Sequence, residues 1–213
     1  PGYNPGSRKP SRSNIIERGC RKVALFCVLL ISAFYLKPSQ QSLILLDAKA
    51  MLTCDMFIRP VTQRDHAKIP HLVEAAFGRH DEGLLVDQLR RNDDIAVEYV
   101  ATDRDELVGH IVFSCMIAPV GCLALAPLSV HPDRQKTGIG STLIRIATEA
   151  VEEQDWIAAF VLGNPSYYSR FGYDVELAQG FDTPYPPEFT AARVFDEATY
   201  RSLPRELVYP PAF

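Results

Sequence analysis

Gly138 and Gly140 stand where an apolar segment ending in SVHP gives way to a helix-like pattern. Glycine has no Cβ, so a backbone with two glycines can approach a ligand closely. The first N–H groups of a helix have no intrahelical partner, and the helix dipole adds positive potential there. This stretch could therefore hold a phosphate or pyrophosphate. A tight strand-to-helix turn, in which the glycines only relieve strain, explains the glycines equally well.

Two familiar phosphate-binding loops do not fit this stretch. A P-loop has the order G-x-x-x-x-G-K-[ST], whereas Lys136 and Thr137 precede the glycines. A dinucleotide fingerprint ends in glycine or alanine, whereas GIGSTL ends in Leu143. That fingerprint also opens a βαβ unit, while this turn follows predicted antiparallel strands. A nucleotide held in the Rossmann manner is thus excluded.

The loop does resemble the acetyl-CoA loop of the GNAT N-acetyltransferases, Q/R-x-x-G-x-G/A, and the preceding V-H-P is similar to that family's V-x-P. Gln135, Gly138 and Gly140 fill the three defining positions. Lys136 stands where the family usually has a glycine. The resemblance implies that the loop holds the CoA pyrophosphate through backbone N–H groups. The cofactor-binding residues implied here are Gln135, Lys136, Thr137, Gly138, Ile139, Gly140 and Ser141.

A second stretch, VLGNPSYYSRFGY, resembles the GNAT segment in which a tyrosine precedes an aromatic-glycine-aromatic ending. Tyr168 falls on the tyrosine that usually protonates the departing CoA thiolate in that family. Packing of a short helix is the alternative for Tyr168 or its neighbour Tyr167. Asn164 could hydrogen-bond the pantetheine arm or only position the loop. The resemblance extends from Met56 to Phe213 and is strongest to a bacterial subgroup of small acetyltransferases.

The resemblance implies a GNAT fold of the mixed α/β (α+β) class. It predicts a mostly antiparallel, twisted sheet of about six or seven strands flanked by about four helices. In this fold the strand before the loop splays from its neighbour, and acetyl-pantetheine enters the gap. Pro127 suits such a break because it cannot donate a ladder hydrogen bond. A backbone N–H of Leu128, Ser129 or Val130 would then face the thioester.

Acetyl transfer to an amine also requires a base, because amines are mostly protonated near neutral pH. Glu82, Glu98, His110 and His131 are the candidates. Glu82 is preferred because the first helices of the fold usually shape the acceptor pocket. Glu98 lies in an alternating strand and is expected to face solvent, as is His131.

The elements that position these residues alternate between strands and helices from Met56 onward. The predicted strands are FIRPV, IAVEYVATD, ELVGHIVFSCMI, CLALAPLSV, WIAAFVLG, YDVELA and a last one near Phe189 to Phe195, with a hairpin turn at Arg104-Asp105. The first predicted helix begins at Thr62 or Asp65 and ends near Phe77, and the second begins at an Asp81 cap and has Leu84, Leu85 and Leu89 on one face. The third runs from Gly138 to Gln154, and the fourth is the short PSYYSRF.

The leader is expected to differ from this domain. Residues 1–50 carry a charge balance of +6, and the first 22 are polar and basic, which predicts disorder. Residues 23–36 are apolar but shorter than the ~20 residues that a spanning helix needs, so they resemble a signal-peptide core or an anchor. Untranslated sequence before a start at Met51 or Met56 is the favoured interpretation. The predicted division is therefore a leader, 1–55, and an acetyltransferase domain, 56–213.

Charge and cysteine content exclude several other classes. Residues 51–213 carry a balance of −10, which argues against a nucleic-acid groove and mildly favours amine partners. Five cysteines without a C-x-x-C pair indicate neither a disulfide framework nor a zinc site. No metal is therefore expected, and a reducing, cytoplasmic location is predicted, with an anchor through residues 23–36 as the alternative.

The sequence thus predicts an acetyl-CoA-dependent N-acetyltransferase. The acetyl group would move from the CoA thioester to an amine by direct attack in a ternary complex, with Tyr168 as general acid. A non-catalytic acyl-CoA sensor that keeps the loop is the alternative. The acceptor, a small-molecule or protein amine, is not encoded in these motifs, and a homodimer stays open.

Overall fold

Six strands of the described residues, 56–213, form one mixed sheet in the computed structural model of the chain. The strands lie side by side in chain order, and every neighbouring pair is antiparallel except the fourth and fifth, which are parallel. The predicted mostly antiparallel sheet is confirmed. The strands are β1 (Met56–Pro60), β2 (Ile95–Asp103), β3 (Glu106–Cys115), β4 (Cys122–Val130), β5 (Ala158–Leu162) and β6 (Thr190–Val194).

Helices cover both faces of this sheet. The helices among residues 56–213 are α1 (Ile69–Phe77), α2 (Asp81–Arg91), α3 (Ile139–Glu152), α4 (Pro165–Tyr168), α5 (Val175–Ala178) and α6 (Glu197–Tyr200). Buried side chains of α1 and α2 pack on Val100 and Val112 on one face, while α3 packs on Ile111 and Phe113 on the other. Within the described range, no helix has the length and apolar character to cross a membrane.

The first predicted helix begins later than expected, at Ile69 instead of Thr62 or Asp65. Asp65 does not cap the helix, because its carboxylate is occupied by the preceding turn. That carboxylate accepts hydrogen bonds from the Thr62 backbone N–H at 2.8 Å and from Arg59 at 2.6 and 2.8 Å. The Arg59 guanidinium, above all, holds the pKa of Asp65 below its usual range. The residues between β1 and α1 are thus held by side-chain hydrogen bonds, which cannot be predicted from helical periodicity.

The second helix, α2, has a different buried face from the predicted one. Leu84 is 57% exposed, whereas Val86 and Leu89 are fully buried. Asp81 is the first helical residue, and His80 takes the cap position. The apolar face is therefore rotated away from Leu84.

The predicted hairpin turn and strand break are both present. Arg104 and Asp105 join β2 to β3 with φ angles of 49° and 66°, the left-handed pair that a tight two-residue hairpin requires. Pro127 lies in a bulge of β4, because the pairing with β3 shifts register between Ile111 and Phe113. The bulge interrupts the pairing of β4 with β3 at the point along β4 where the predicted gap should open.

Gly109 of β3 sets how closely α3 approaches the sheet. A Cβ at this position would lie 2.8 Å from Ile139 Cγ2 and 2.8 Å from Leu143 Cδ1, closer than packed carbons allow. Both contact atoms belong to the first turns of α3. The N-terminus of α3 is therefore pressed onto β3, and its loop lies beside the end of β4.

The predicted strand YDVELA is wrong, because Val175–Ala178 form the short helix α5. Asp174 starts this helix by accepting a hydrogen bond from the Glu176 backbone N–H at 2.8 Å. Its own backbone still pairs with Ala192 of β6, so one residue of the segment is in the sheet. The side-chain cap overrides the strand preference of an alternating pattern.

Candidate active site

A gap opens between the two parallel strands, β4 and β5. Their pairing covers only Cys122–Leu125 against Ala158–Val161, although β4 continues to Val130 and stays paired with β3. Residues 126–130 therefore have no ladder on the β5 side. This is the splayed sheet that the sequence predicted.

Two of the three predicted backbone donors face the gap. His131 N donates to Val108 O at 3.0 Å, which makes Gly109 and Val130 a non-hydrogen-bonded antiparallel pair. By alternation, the backbone of Ser129 pairs with β3 instead. The N–H groups of Leu128 and Val130 consequently point into the gap, and the Ser129 N–H is not available there.

The loop at the end of the gap has the geometry of an anion cradle. Gly138 precedes α3 with a φ of 91°, and the first helical bond runs from Thr142 N to Gly138 O at 3.0 Å. The N–H groups of residues 139–141 therefore have no helical partner. Gln135 fastens the loop to the strand, since its side chain donates to Val130 O at 3.3 Å. Free donors at a helix N-terminus suit a phosphate group.

Gly140 is required by a contact that the sequence did not indicate. A Cβ there would lie 2.8 Å from the Tyr167 hydroxyl oxygen and 3.4 Å from Val130 Cγ2. The Tyr167 ring is held by Arg170, 4.7 Å from its centroid, and by the Phe171 ring at 5.5 Å. Tyr167 therefore packs directly against the cradle at Gly140, and its hydroxyl occupies the space that any side chain at residue 140 would need.

Lys136 has a φ of 62°, a left-handed conformation that costs a residue with a Cβ about 1–2 kcal/mol. This is the position at which the resembling family usually has glycine. Lys136→Gly is expected to raise the free energy of unfolding by up to about 1 kcal/mol, because glycine removes the strain but has more freedom when unfolded. Thermal unfolding measures the gain. Lys136→Ala keeps the φ strain and should show no gain; an equal gain in both variants would contradict the explanation.

Tyr168 lies on the other side of this aromatic pair. Its ring packs so closely on Gly163 that a Cβ there would overlap Cε2, and its centroid is 5.9 Å from that of Tyr173. Burial, with a smaller contribution from Tyr167, raises the pKa of Tyr168 to about 12. The two adjacent tyrosines are thus distinct, because Tyr167 supports the cradle and Tyr168 sits beyond the end of β5.

Asn164 has the positioning role that the sequence left open. Its Oδ1 accepts a hydrogen bond from the Ser166 backbone N–H at 2.9 Å and so caps α4. The cap sets the direction of the helix that carries Tyr167 and Tyr168. A contact with pantetheine stays a prediction.

Two candidate bases lie near surface ion pairs. Glu82, at the start of α2, pairs with Arg79, and its Oε2 is shielded from solvent without a hydrogen-bond partner among residues 56–213. His131 is 40% exposed and stands 3.8 Å from Asp133. Neither contact rules out proton transfer.

The expectation that Glu98 faces solvent is wrong. Its side chain is 10% exposed, and its Oε1 lies 2.8 Å from His110 Nε2 and 2.6 Å from Arg90 Nη2. Burial raises the pKa of Glu98, but His110 and Arg90 outweigh burial and leave this pKa below the ordinary value. His110 itself is fully buried. The cause is α2, which covers this face and brings Arg90 onto a strand that alternation alone would leave half exposed.

Within residues 56–213, no group of three or more His, Cys, Asp or Glu side chains is placed to hold a metal ion. Burial raises the pKa of Cys122 to about 12, so this thiol is a core residue and not a nucleophile.

Comparisons with known proteins agree with this arrangement. The family model of the acetyltransferase (GNAT) domain matches residues 94–175, which include the cradle and Tyr168. The uncharacterized N-acetyltransferase YjhQ of Escherichia coli K12 is 32% identical over 145 residues, which cover 63% of this chain and 80% of the relative.

Two crystal structures share the fold. A GNAT family acetyltransferase from Brucella melitensis, in complex with acetyl-CoA, has a TM-score of 0.62 and 30% identity, covering 74% of this chain and 97% of its own. YhbS from Escherichia coli, in complex with CoA, has a TM-score of 0.69 at 22% identity, covering 75% and 92%. With this degree of identity and coverage, the chain belongs to the GNAT family of N-acetyltransferases.

Proposed function

We propose that this enzyme transfers the acetyl group of acetyl-CoA to an amine by direct attack in a ternary complex. The observation that carries the proposal is the gap between β4 and β5, which opens at the bulge and ends at the cradle before α3. A thioester arm in the gap and a pyrophosphate on the cradle would belong to one ligand. The acetyl-CoA complex of the Brucella relative supports this choice.

The chain supplies donors to both ends of this ligand. The N–H groups of residues 139–141, at the start of α3, would bind the pyrophosphate, with Gln135, Lys136, Thr137 and Gly138 shaping the loop. In the gap, the N–H of Leu128 or Val130 would donate to the thioester carbonyl and stabilise the negative charge that develops on its oxygen. Fixed backbone donors need no reorganisation during the reaction.

Tyr168 is the proposed general acid. Its pKa of about 12 keeps the phenol protonated at neutral pH. When the C–S bond breaks, the sulfur leaves with the electron pair and takes this proton. Glu82 and the His110–Glu98 pair are the proposed bases for the amine, and the proposed acceptor is a small-molecule or protein amine.

Thiol release from acetyl-CoA tests the proposal. The purified protein is given acetyl-CoA and a panel of acceptors: a polyamine, an aminoglycoside, free amino acids and a peptide with a free N-terminus and a lysine. Acceptor-dependent thiol release and thermal stabilisation by CoA are expected. Stabilisation by CoA without turnover on any acceptor would favour an acyl-CoA sensor, and no stabilisation would contradict the cradle as well.

Gly140→Ala tests the cradle by itself. The added Cβ meets the Tyr167 hydroxyl, which is held in place, and such overpacking costs about 1–3 kcal/mol. If the displacement moves the donors of residues 139–141, the affinity for CoA should fall about 5- to 150-fold. Titration calorimetry with CoA measures the loss.

A double variant identifies the cause of that loss. Tyr167→Phe removes only the oxygen that the new methyl group meets, so Gly140→Ala/Tyr167→Phe should regain most of the CoA affinity. If the double variant binds as weakly as Gly140→Ala, the methyl group obstructs CoA directly. Wild-type affinity in Gly140→Ala would show that CoA does not use this loop.

A further inference from the structure

Three polar side chains lie on one face of three neighbouring strands, beneath α1 and α2. Glu98 is on β2, His110 on β3 and Ser129 on β4, and each lies within the apolar body of the protein. His110 and Ser129 are 0% and 1% exposed. Buried polar groups at adjacent sheet positions are rare enough to require an explanation.

The register places these side chains on one face. His110 is the direct partner of Ser129 across β3 and β4, and the pair is hydrogen-bonded through its backbone. Directly paired residues carry their side chains on the same side of a sheet. Val112, two residues from His110, packs against α1 and α2, so the imidazole and the hydroxyl point to that side.

Glu98 fixes the protonation of the imidazole. A carboxylate can only accept, and the partners of Glu98 hold its pKa below the ordinary value, so the His110 Nε2 that lies 2.8 Å away carries the proton. In the neutral imidazole, His110 Nδ1 then carries a lone pair. This nitrogen has no hydrogen-bond partner among residues 56–213, and neither has Ser129 Oγ.

His110 Nδ1 and Ser129 Oγ belong to directly paired residues on one face of the sheet, and they are not hydrogen-bonded to each other. Buried polar groups normally have a hydrogen-bond partner, so both groups are available for proton transfer. Ser129 sits between Leu128 and Val130, the residues whose N–H groups face the gap. Its hydroxyl therefore leaves β4 at the level of the proposed thioester, on the face opposite α3.

Resting on the proposed function, we propose that His110 is the proton acceptor of the reaction and that it acts through the Ser129 hydroxyl. Glu98 is a positioning residue that holds the imidazole and stabilises its protonated form. Carboxylate, imidazole and hydroxyl then stand in series, with the hydroxyl nearest the acceptor amine. The serine relays a proton and forms no covalent bond with the acetyl group.

The acceptor enters as an ammonium and gives one proton to Ser129 Oγ, while the Ser129 O–H proton moves to His110 Nδ1. The neutral nitrogen forms the C–N bond, the C–S bond breaks, and the sulfur takes the bonding electron pair and the Tyr168 proton. The newly bonded amine nitrogen then gives its remaining surplus proton to the Tyr168 phenolate. His110 releases its proton to water. One proton is released for each amide formed.

The surroundings of His110 contain few other charges. Glu98 faces it from β2, and Arg90 reaches Glu98 from α2, while α1 contributes the apolar Ile69 and Val73 to the same cluster. Among the described residues, the Glu98 carboxylate thus contacts the ring directly, and Arg90 contacts the same Glu98 oxygen.

His110→Gln and Ser129→Ala test the relay. Glutamine can still donate to Glu98 but cannot take up a proton, so turnover should fall about 100- to 10,000-fold near neutral pH. Ser129→Ala removes an unpartnered hydroxyl, so the melting temperature should hold while turnover falls at least about tenfold. Thiol release is measured with the fastest acceptor of the amine panel. Ser114→Ala is the matched control, because Ser114 is a buried serine of the same sheet, and it should keep full activity.

The pH profile separates proton transfer from a structural role. Without His110 the enzyme depends on amine that is already neutral, so the activity of His110→Gln should rise about tenfold per pH unit toward the amine pKa. The deficit against the wild type should shrink accordingly. CoA affinity should stay at the wild-type value in both variants, since neither residue lies at the cradle.

The outcomes are distinct. A deficit that stays constant with pH would mean that His110 is structural, and unchanged turnover in Ser129→Ala would remove the relay. The pH-dependent loss in Glu82→Gln, with normal turnover in His110→Gln, would assign the base to Glu82 and overturn the inference while leaving the proposed function intact. A wild type without turnover on any amine would overturn the proposed function itself.

Discussion

Tyr168→Phe is expected to lower the turnover number about 100- to 10,000-fold and to leave CoA affinity unchanged, because the variant removes only the proton donor of the thiolate. The phenylalanine ring can keep the packing on Gly163 and Tyr173. Stopped thiol-release assays and CoA titration calorimetry measure the two quantities separately. The change is a single oxygen atom, so the loss would be chemical and not structural.

The high pKa of Tyr168 suits its proposed partner. A thiol in water has a pKa of about 8.5, so a phenol with a pKa of about 12 would be a poor donor to an exposed thiolate. Burial changes this comparison, because it raises the pKa of a thiol, as it does for Cys122. A CoA sulfur shielded in the gap would be more basic than a thiol in water, which would make Tyr168 a better donor to it.

The matched control for this variant is Tyr167→Phe, one residue away on α4. The Tyr167 hydroxyl faces Gly140, at the cradle, so its removal should change turnover by no more than a few-fold. A larger loss in Tyr167→Phe than in Tyr168→Phe would exchange the two assignments. Equal turnover in wild type and Tyr168→Phe would mean that the thiolate leaves without an acid.

The pH dependence has a definite sign. Tyr168 is the active acid in its protonated form, and with a pKa of about 12 it deprotonates only at a pH far above neutral. Turnover should therefore show no descending limb between about pH 7 and pH 10, since the protonated fraction stays near one. A descending limb that is present in the wild type and absent in Tyr168→Phe would contradict the pKa and its cause.

Local signals predicted most of the fold. The strand CLALAPLSV coincides with β4, and the helix predicted from Gly138 to Gln154 differs from α3 by one or two residues at each end. Strong apolar periodicity and turn residues determine these elements without help from distant parts of the chain. The cradle is equally local, because its glycines and its helix N-terminus are contiguous in sequence.

Two errors in the predicted elements have a common physical origin in hydrogen bonds made by side chains. The Asp65 carboxylate accepts hydrogen bonds from Arg59 and Thr62, so α1 begins later than predicted. Asp174 caps a helix where the alternating pattern favours a strand. Neither kind of hydrogen bond is visible in the hydrophobic periodicity of the sequence. Such bonds compete locally with the backbone and decide where an element begins.

The relay could not be predicted, because it depends on register between strands. Glu98, His110 and Ser129 are 12 and 19 residues apart in the chain, and only the pairing of β2, β3 and β4 brings them together on one face of the sheet. The hairpin at Arg104-Asp105 bears on the first part of this register, since a two-residue turn fixes which residues of β2 and β3 are opposite. Pro127 indicates a break in β4, but the effect of that break on the register with β3 follows only from the structure.

Arg90→Met is expected to lower the free energy of unfolding by about 3–5 kcal/mol, because it leaves the Glu98 carboxylate buried with one charged partner fewer. The Arg90 and Glu98 side chains are only 19% and 10% exposed, so water cannot replace the guanidinium fully. Chemical denaturation measures the loss. Arg91→Met is the matched control, because the neighbouring Arg91 is exposed, and it should change stability by less than about 0.5 kcal/mol.

The pH dependence of this loss follows from Glu98. Its folded pKa lies below the unfolded value, so the stabilisation it provides is present above the unfolded pKa of about 4.3 and is lost as the pH falls through the folded pKa. Arg90→Met raises the folded pKa, so wild type and variant should differ most at neutral pH and converge in acid. Arg90→Met/Glu98→Gln removes the stranded charge and should be more stable than Arg90→Met alone. Purely additive losses would show that Arg90 acts through its packing and not through Glu98, and the carboxylate would then depend on His110 alone.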